Sequence, residues 1–223
     1  MNYGFDWFYV EKSLPQLLDG LVLTIKLTVW ANVIGLTLGF IIALGMLSGR
    51  RIFTVPLTIF IEFFRCTPAL VQLIWFYFCL PMLLNVWWSG ELTGTLALGF
   101  NLAAFNAEAY RASIQAIPSA HRDASVALGL NSWQRILYVV FPQSALMAAP
   151  VLMTNAIGIF QQSALLALIS VEELMYQGKS ISTQYFRPIE TFTAVAIIYF
   201  MVSFPFSQIV SVIEKKTQRL LAN

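Results

Sequence analysis

Apolar residues gather in five long segments, each of which reaches or exceeds the roughly 20 residues that a helix needs to cross the hydrocarbon of a bilayer. The second segment is the longest and contains Pro68, which predicts a break between an initial helix and a continuing span. The pattern predicts an all-α, polytopic membrane protein with a single domain over residues 1–223. Its five predicted transmembrane helices cover residues 21–47, 53–84, 92–114, 143–169 and 191–213.

Small residues recur every four positions in the first segment, where Ala31, Gly35, Gly39 and Ala43 follow one another. On a helix this spacing places all four on one face, where a second helix can approach closely. We interpret the stripe as a packing surface and assign it no further function.

Composition agrees with a membrane protein and excludes several other classes. Hydrophobic residues make up 58% of the chain and charged residues 11%, with a mean hydropathy of +0.73, which is far from a soluble domain. The sparse basic residues form no stripe for nucleic acid, and no Cys or His cluster has metal-ligand spacing. The one histidine, His121, lies in a polar loop and is interpreted as a solvated or docking residue. No catalytic group and no metal site are therefore predicted.

The distribution of basic residues predicts the orientation in the membrane. With the N-terminus outside, the inner loops and helix ends hold Arg50, Arg51, Arg111, Arg122, Arg135, Lys215, Lys216 and Arg219. The outer segments hold Lys12, Lys179 and Arg187. Because cytoplasmic loops carry the excess of Lys and Arg, this asymmetry predicts an N-out, C-in protein.

The longest polar interruption, residues 118–141, lies between the third and fourth predicted spans and is expected in the cytoplasm. Ser119 is a candidate N-cap and Gly129 a candidate C-terminal stop for a first short helix. A second short helix can be capped by Asn131 or Ser132. One face of the first helix carries small side chains that suit a partner's groove. The pattern equally suits an interfacial hairpin without a partner, and the residues alone leave both interpretations open.

Further residues of this loop keep the spacing of a known motif: Asp123-Ala124-Ser125, Gly129, Val139 and Phe141-Pro142. They resemble the "EAA" loop of ABC-importer permeases, Glu-Ala-Ala-x3-Gly-x9-Ile-x-Leu-Pro. The chain departs from that motif by carrying Asp for Glu, Ser for the second Ala, Val for Ile and Phe for Leu. In that family the loop is the coupling helix, which docks into a cleft of the ATPase subunit.

The resemblance extends over roughly residues 15–215. Segments 18–24 and 158–161 resemble the glutamate/aspartate permeases of the family. Three further segments resemble signatures of its polar amino-acid uptake subfamily: residues 62–72, 107–111 and 114–118.

The resemblance implies the permease subunit of an ATP-binding-cassette importer, a multi-pass protein of the bacterial cytoplasmic (inner) membrane that forms the translocation path. The implied partners are a pair of ATPase subunits, a second permease subunit (a paralogue or a copy), an extracytoplasmic substrate-binding protein and membrane lipid. The chain has no Gly-x4-Gly-Lys-[Ser/Thr] loop, so ATP is expected on the partner ATPase, and this chain is expected to be no enzyme and to hold no cofactor. The residues implied in ATPase coupling are Asp123, Ala124, Ser125, Leu128 and Gly129.

Two interpretations fit Arg65, which lies inside the second apolar segment. Glu62 is three residues earlier, at the spacing of an ion pair on a helix. The pattern favours a structural pair that fixes the bend at Pro68. In the alternative, Arg65 faces the translocation path and attracts an anionic substrate.

The fourth predicted span carries the densest polar set. Its Gln-Gln-Ser run spreads over roughly 200° of a helix, so the three side chains cannot all serve one neighbour. In relatives the sequence at this place resembles Lys/Gln-Asp-Thr-Ser and lies near a substrate site. This chain has Gln162 where the Asp is usual. The missing carboxylate disfavours a cationic substrate and fits an acidic or neutral amino acid, with glutamate or aspartate preferred. The predicted substrate-path residues are Arg65, Thr67, Asn155, Gln161, Gln162 and Ser163.

Two other function classes remain alternatives. An ion-coupled secondary amino-acid transporter would be expected to show inverted repeats, and no later segment pairs with the broken second span. A membrane-embedded enzyme would need acid, base or metal groups at membrane depth. Co-purification with a P-loop ATPase distinguishes the importer from both.

Overall fold

The computed structural model describes residues 5–222, except for the side chains of residue 122 and residues 216–222. The predicted inner charges of Arg122, Lys216 and Arg219 lie outside the described side chains. The regular elements of the described chain are all helices, as expected, with short π or 3-10 turns at residues 75–79, 136–140 and 163–169. The helices are α1 (Phe8–Met46), α2 (Arg51–Cys66), α3 (Ala69–Ile74), α4 (Leu80–Leu84), α5 (Gly90–Ala116), α6 (Ser119–Ala127), α7 (Ser132–Arg135), α8 (Phe141–Gln162), α9 (Leu174–Tyr185) and α10 (Pro188–Ala222).

Three helical stretches are long and apolar enough to cross a membrane: α1, Ser132–Ile169 and Pro188–Lys215. The pair Arg51–Cys66 and Ala69–Leu84 passes the same test when its two parts are taken together. The length and composition of the described helices therefore support three spans, or four if the bent pair forms one span. The five-span arrangement and the N-out, C-in orientation stay predictions.

Helix α5 covers the third predicted span, but it is not apolar enough to count among those candidate spans of the described chain. It is 27 residues long, which corresponds to about 40 Å. About half of its residues are buried, including the polar Thr93, Asn101 and Asn106. Because neighbouring helices cover it, its side chains need not be uniformly apolar.

The small-residue stripe of α1 forms the central helix contact, as predicted. Ala31, Gly35, Gly39 and Ala43 are all buried. A methyl group added at Gly39 would lie 2.8 Å from Cβ of Asn106 on α5, and one at Gly35 would overlap Leu102. The absence of side chains at these positions therefore sets how closely α1 and α5 approach.

The first helix begins much earlier than its predicted span, at Phe8 instead of residue 21. Its first turns include the polar Glu11 and also Pro15, which hydropathy alone placed outside the helix. Leu17 in this part is fully buried and belongs to a cluster with Leu174 of α9. Tertiary packing therefore extends the helix beyond the segment that lipid would require.

The predicted break at Pro68 is present. Thr67 and Pro68 have extended backbone conformations, and the helices on either side meet at a bend of 110°. The side chain of Gln72 compensates for the lost helical hydrogen bonds, because its Nε2 donates to the carbonyl oxygens of Phe64 (2.9 Å) and Thr67 (3.0 Å). The bend is thus held by side-chain bonds as well as by the proline.

The polar loop follows its prediction in part. Gly129 has φ of +72°, the left-handed conformation expected at the end of α6. Asn131 caps α7 and forms a reciprocal capping box with Gln134. The prediction that Ser119 caps α6 is wrong, since Pro118 occupies the cap position and no side-chain bond forms there.

The expected boundary before the fourth span is also absent. A π turn at residues 136–140 joins α7 directly to α8, so the helical stretch Ser132–Ile169 is continuous. Pro142 lies just after this turn. Because proline donates no backbone N–H, the wider turn accommodates it without ending the helix.

Candidate functional site

Helix α6 presents most of the predicted coupling residues on an exposed surface. Asp123 and Ala124 are exposed, and Leu128 and Gly129 follow the helix, with Leu128 78% exposed. Ser125 differs, because it is only 3% exposed and faces the rest of the chain. Four of the five predicted residues thus share one accessible segment, and their role in ATPase coupling stays a prediction.

The exposed loop is tied to the fourth span by its histidine. Nδ1 of His121 lies 2.9 Å from Oε1 of Gln143, which is in the first turn of α8. This contact connects α6 to the beginning of a helix that continues toward the predicted substrate-path residues. His121 therefore has a hydrogen-bond partner within the chain, and its interpretation as a solvated or docking residue stays a prediction.

Arg65 lies in the last turn of α2 and pairs with Glu62, as its spacing predicted. Nη1 of Arg65 is 3.9 Å from Oε1 of Glu62, and the two side chains are 38% and 57% exposed. An exposed pair at this separation contributes about 0–1 kcal/mol. The ion pair therefore leaves the Arg65 side chain accessible at the surface of the described chain.

Thr67 lies beside the bend and belongs to a polar network that sequence reasoning missed. Nε2 of Gln72 is 2.8 Å from Oγ1 of Thr67. Nδ2 of Asn101 on α5 donates to Oε1 of Gln72 at 2.9 Å. Gln72 and Asn101 are 3% and 4% exposed. The signal for this network was an amide in each of two apolar segments, but its pairing depends on how α3 packs on α5.

The polar residues of α8 point in different directions, as their angular spread predicted. Gln161 is exposed, and Gln162 is half-buried with Oε1 buried and without a hydrogen-bond partner. Ser163 is fully buried and donates to the carbonyl oxygen of Phe160 at 2.6 Å. Ser163 therefore does not share the accessible surface of the two glutamines.

Asn155 pairs with a second amide. It precedes the two glutamines on α8 by nearly two helical turns. Its Nδ2 donates to Oδ1 of Asn106 on α5 at 3.0 Å. Asn106 is fully buried, and its own Nδ2 has no hydrogen-bond partner. Sequence reasoning did not select Asn106, although an asparagine inside a predicted span was a visible signal.

A buried carboxylate connects the start of α9 to α10 and α1. Glu173, just before α9, is fully buried and accepts hydrogen bonds from the backbone N–H groups of Met175 (3.0 Å) and Tyr176 (2.9 Å). Tyr199 of α10 and Thr24 of α1 donate to its Oε2 at 3.0 and 3.4 Å. Burial raises the pKa of the Glu173 carboxyl, and the four donors oppose that shift.

The predicted substrate-path residues thus form two separate groups. Arg65 and Thr67 lie at the bend after α2, whereas Asn155, Gln161 and Gln162 lie along α8, with Ser163 buried directly after it. Within the described side chains, no hydrogen bond or ion pair joins the two groups. Across the part of the chain that the structure describes, no group of three His, Cys, Asp or Glu side chains could hold a metal ion.

Comparisons with known proteins agree on one type of relative. The family described as "binding-protein-dependent transport system inner membrane component" matches residues 35–219. The glutamate/aspartate import permease protein GltK of Escherichia coli O6:H1 (strain CFT073) is 32% identical over 222 residues, which cover 96% of this chain and 99% of that protein. The glutamine transport system permease protein GlnP of Escherichia coli (strain K12) is 33% identical over 223 residues, which cover 97% of this chain and 99% of that protein. A crystal structure of an amino acid ABC transporter with histidines has a TM-score of 0.85 at 31% identity, covering 96% of this chain and 100% of that chain.

Proposed function

The chain belongs to the family of inner membrane components of binding-protein-dependent transport systems, as the permease subunit of an amino-acid ABC importer, and we propose that it imports glutamate and aspartate. The family assignment favours an ATP-driven importer over an ion-coupled carrier. The acidic substrate is the more specific part of the proposal, because the glutamine permease GlnP is as similar to this chain as GltK is.

The accessible Arg65 is the observation that carries the acidic substrate. Its side chain is 38% exposed, and its ion-pair contact to Glu62 is 3.9 Å long. A guanidinium that is not closely paired can bind a carboxylate through two parallel hydrogen bonds. Helix α8 supports the same substrate class, since its polar residues are amides and hydroxyls and it contains no Asp or Glu that would repel an anion.

ATP-driven transport requires a route from the ATPase to these residues. We place it at α6, where Asp123, Ala124, Leu128 and Gly129 are accessible to a partner. An ATPase pair docked there, a second permease subunit and an extracytoplasmic binding protein complete the proposed importer. The link from His121 to Gln143 provides mechanical contact between α6 and α8.

Competition in reconstituted proteoliposomes tests the substrate. The permease is assembled with its ATPase and binding protein, and uptake of labelled glutamate is measured with an excess of unlabelled aspartate, glutamine or arginine. We expect aspartate to compete and arginine to have no effect. The same binding protein is then paired with Arg65→Gln, so that a change reports on the permease alone.

Competition by glutamine as strong as that by aspartate would contradict the acidic assignment. Unchanged glutamate uptake by Arg65→Gln would instead remove Arg65 from the substrate path. Either result would leave the amino-acid importer assignment intact. ATP-independent uptake by the purified permease would instead contradict the importer itself.

A further inference from the structure

A narrow groove lies between α1, α8 and α10. It follows α1 from Ile25 to Leu36 and has a volume of about 460 Å³. Every residue that lines it belongs to one of the three helical stretches that are long and apolar enough to cross a membrane. The groove is therefore expected at membrane depth, where its occupant comes from the bilayer or from a neighbouring subunit.

The polar side chains of the lining present little polarity to an occupant. Oγ1 of Thr28 donates to the carbonyl oxygen of Thr24 at 2.7 Å, and Nδ2 of Asn32 donates to the carbonyl oxygen of Thr28 at 2.9 Å. Oδ1 of Asn32 and Oγ of Ser203 are buried. An amino acid would lose its hydration in this groove and gain few hydrogen bonds, so the lining selects hydrocarbon.

The width of the groove distinguishes a lipid chain from a protein helix. The distance along α1 from Ile25 to Leu36 corresponds to ~16 Å. A volume of about 460 Å³ spread over that length gives a cross-section about a third of that of a helix ~10 Å wide. The groove is therefore too narrow to hold a helix of a second subunit, whereas an extended acyl chain is narrower than a helix.

Two opposite charges lie beside the Ile25 end of the groove. Nζ of Lys26 is 3.9 Å from Oε2 of Glu91, and both side chains are exposed. Lys26 is three and seven residues from Val29 and Val33, which line the groove, so the three residues share one side of α1. Glu91 is in the first turn of α5. The pair thus lies level with a helix end, where lipid headgroups are expected.

A zwitterionic headgroup complements this pair. We propose that the groove binds an acyl chain of phosphatidylethanolamine, whose phosphate contacts Lys26 and whose ammonium group donates hydrogen bonds to Glu91. Phosphatidylcholine carries the same charges, but its quaternary ammonium group has no N–H donor. Phosphatidylglycerol has the phosphate and no cation for Glu91. The chain and the charge pair together select one class of phospholipid, whichever amino acid is transported.

Photo-crosslinking tests this site. The permease, assembled with its ATPase and binding protein, is reconstituted in nanodiscs that contain a trace of phosphatidylethanolamine with a photoreactive group in one acyl chain. Mass spectrometry identifies the modified peptides. We expect adducts on the segments of α1, α8 and α10 that line the groove. Replacing phosphatidylcholine by phosphatidylethanolamine as the bulk lipid should lower these adducts about tenfold, because the competitor then offers a hydrogen bond between charged groups.

Two variants separate the chain from the headgroup. Ala156→Phe places an aromatic ring in the groove and should remove the groove adducts. Its matched control is Val151→Phe, which adds a similar bulk at an exposed position on the other side of α8 and should leave them unchanged. Glu91→Gln keeps the groove and should abolish the difference between the two bulk lipids.

Three results would overturn the proposal. Equal competition by the two bulk lipids, or a difference that persists in Glu91→Gln, would remove the headgroup assignment. A lack of groove adducts in the assembled complex would remove the lipid site and leave a neighbouring protein segment as the occupant. Glutamate uptake is measured separately, so each of these results is distinguishable from failure of the proposed function.

Discussion

The hydroxyl of Tyr199 donates a 3.0 Å hydrogen bond to Oε2 of Glu173, and this bond ties α10 to the segment between α8 and α9. Thr24 of α1 contacts the same carboxylate oxygen at 3.4 Å and also accepts a hydrogen bond from the backbone N–H of Leu174. One buried carboxyl group thus joins three parts of the chain. Its removal is expected to loosen all three at once.

The pKa of Glu173 makes the contribution of this group depend on pH. Burial raises its pKa above the ordinary value of 4.5. A carboxyl whose pKa is raised on folding contributes most below its unfolded pKa, and that contribution is lost as the pH rises through the folded pKa. We therefore expect the melting temperature of the wild type, relative to Glu173→Gln, to increase as the pH is lowered toward 4.5.

Thermal unfolding of the detergent-solubilised protein across a pH series measures this difference. The control is Glu172→Gln, which removes an exposed carboxyl next to Glu173. A difference between wild type and Glu173→Gln that does not change with pH would contradict the raised pKa. The same pH dependence in the control would assign the effect to surface charge.

The left-handed Gly129 predicts how the coupling loop can be disabled. A β-branched residue is strained at φ of +72° by about 1–2 kcal/mol, so Gly129→Val should distort the end of α6. We expect normal membrane insertion, weaker ATPase binding and loss of uptake. Gly49→Val is a matched control, since Gly49 has φ of +70° and also has no neighbour within 4 Å of an added methyl group. Equal loss of uptake in both variants would show that general strain, not coupling, is responsible.

Charge neutralisation at the bend distinguishes the two interpretations of Arg65. If Arg65 binds an anionic substrate, Arg65→Gln should lower glutamate uptake about tenfold, because a hydrogen bond to a charged group is lost. The double variant Glu62→Gln with Arg65→Gln should remain equally impaired. Complex assembly is followed by co-purification of the ATPase. Full recovery of uptake in the double variant would make Arg65 a structural residue only.

Accessibility of single cysteines tests the orientation. Trp87, between α4 and α5, is 95% exposed, and Leu128 after α6 is 78% exposed. In a chain without Cys66 and Cys79, Trp87→Cys should react with an impermeant reagent in intact cells, whereas Leu128→Cys should react only after permeabilisation. The reverse pattern would contradict the N-out, C-in prediction, and reaction of both in intact cells would contradict the predicted span between them.

Sequence patterns predicted the features that neighbouring residues determine. The stripe around Gly35, the break at Pro68 and the left-handed Gly129 each depend on a few adjacent positions, and all three are present. The partners of Glu173 could not be found in this way, because Thr24 is 149 positions away in the chain. Asn106 was missed for the same reason, since its role depends on the packing of α5 against α8.

The same separation explains the error at the start of α1. Hydropathy began the first span at residue 21, whereas contacts with α9 extend α1 back to Phe8. Local propensity decides such a position only where no distant element packs against it. The error at Ser119 has a local cause instead, since the adjacent Pro118 occupies the cap position of α6.

The polarity of α5 has a consequence for how the protein is made. A segment that buries Thr93, Asn101 and Asn106 against other helices gains little by entering lipid alone. Its insertion is therefore expected to depend on the earlier arrival of α1, whose Gly35 and Gly39 provide the surface that covers it. A bulky residue at Gly35 would then be expected to act during biogenesis, by leaving α5 outside the bilayer, before any transport step is reached.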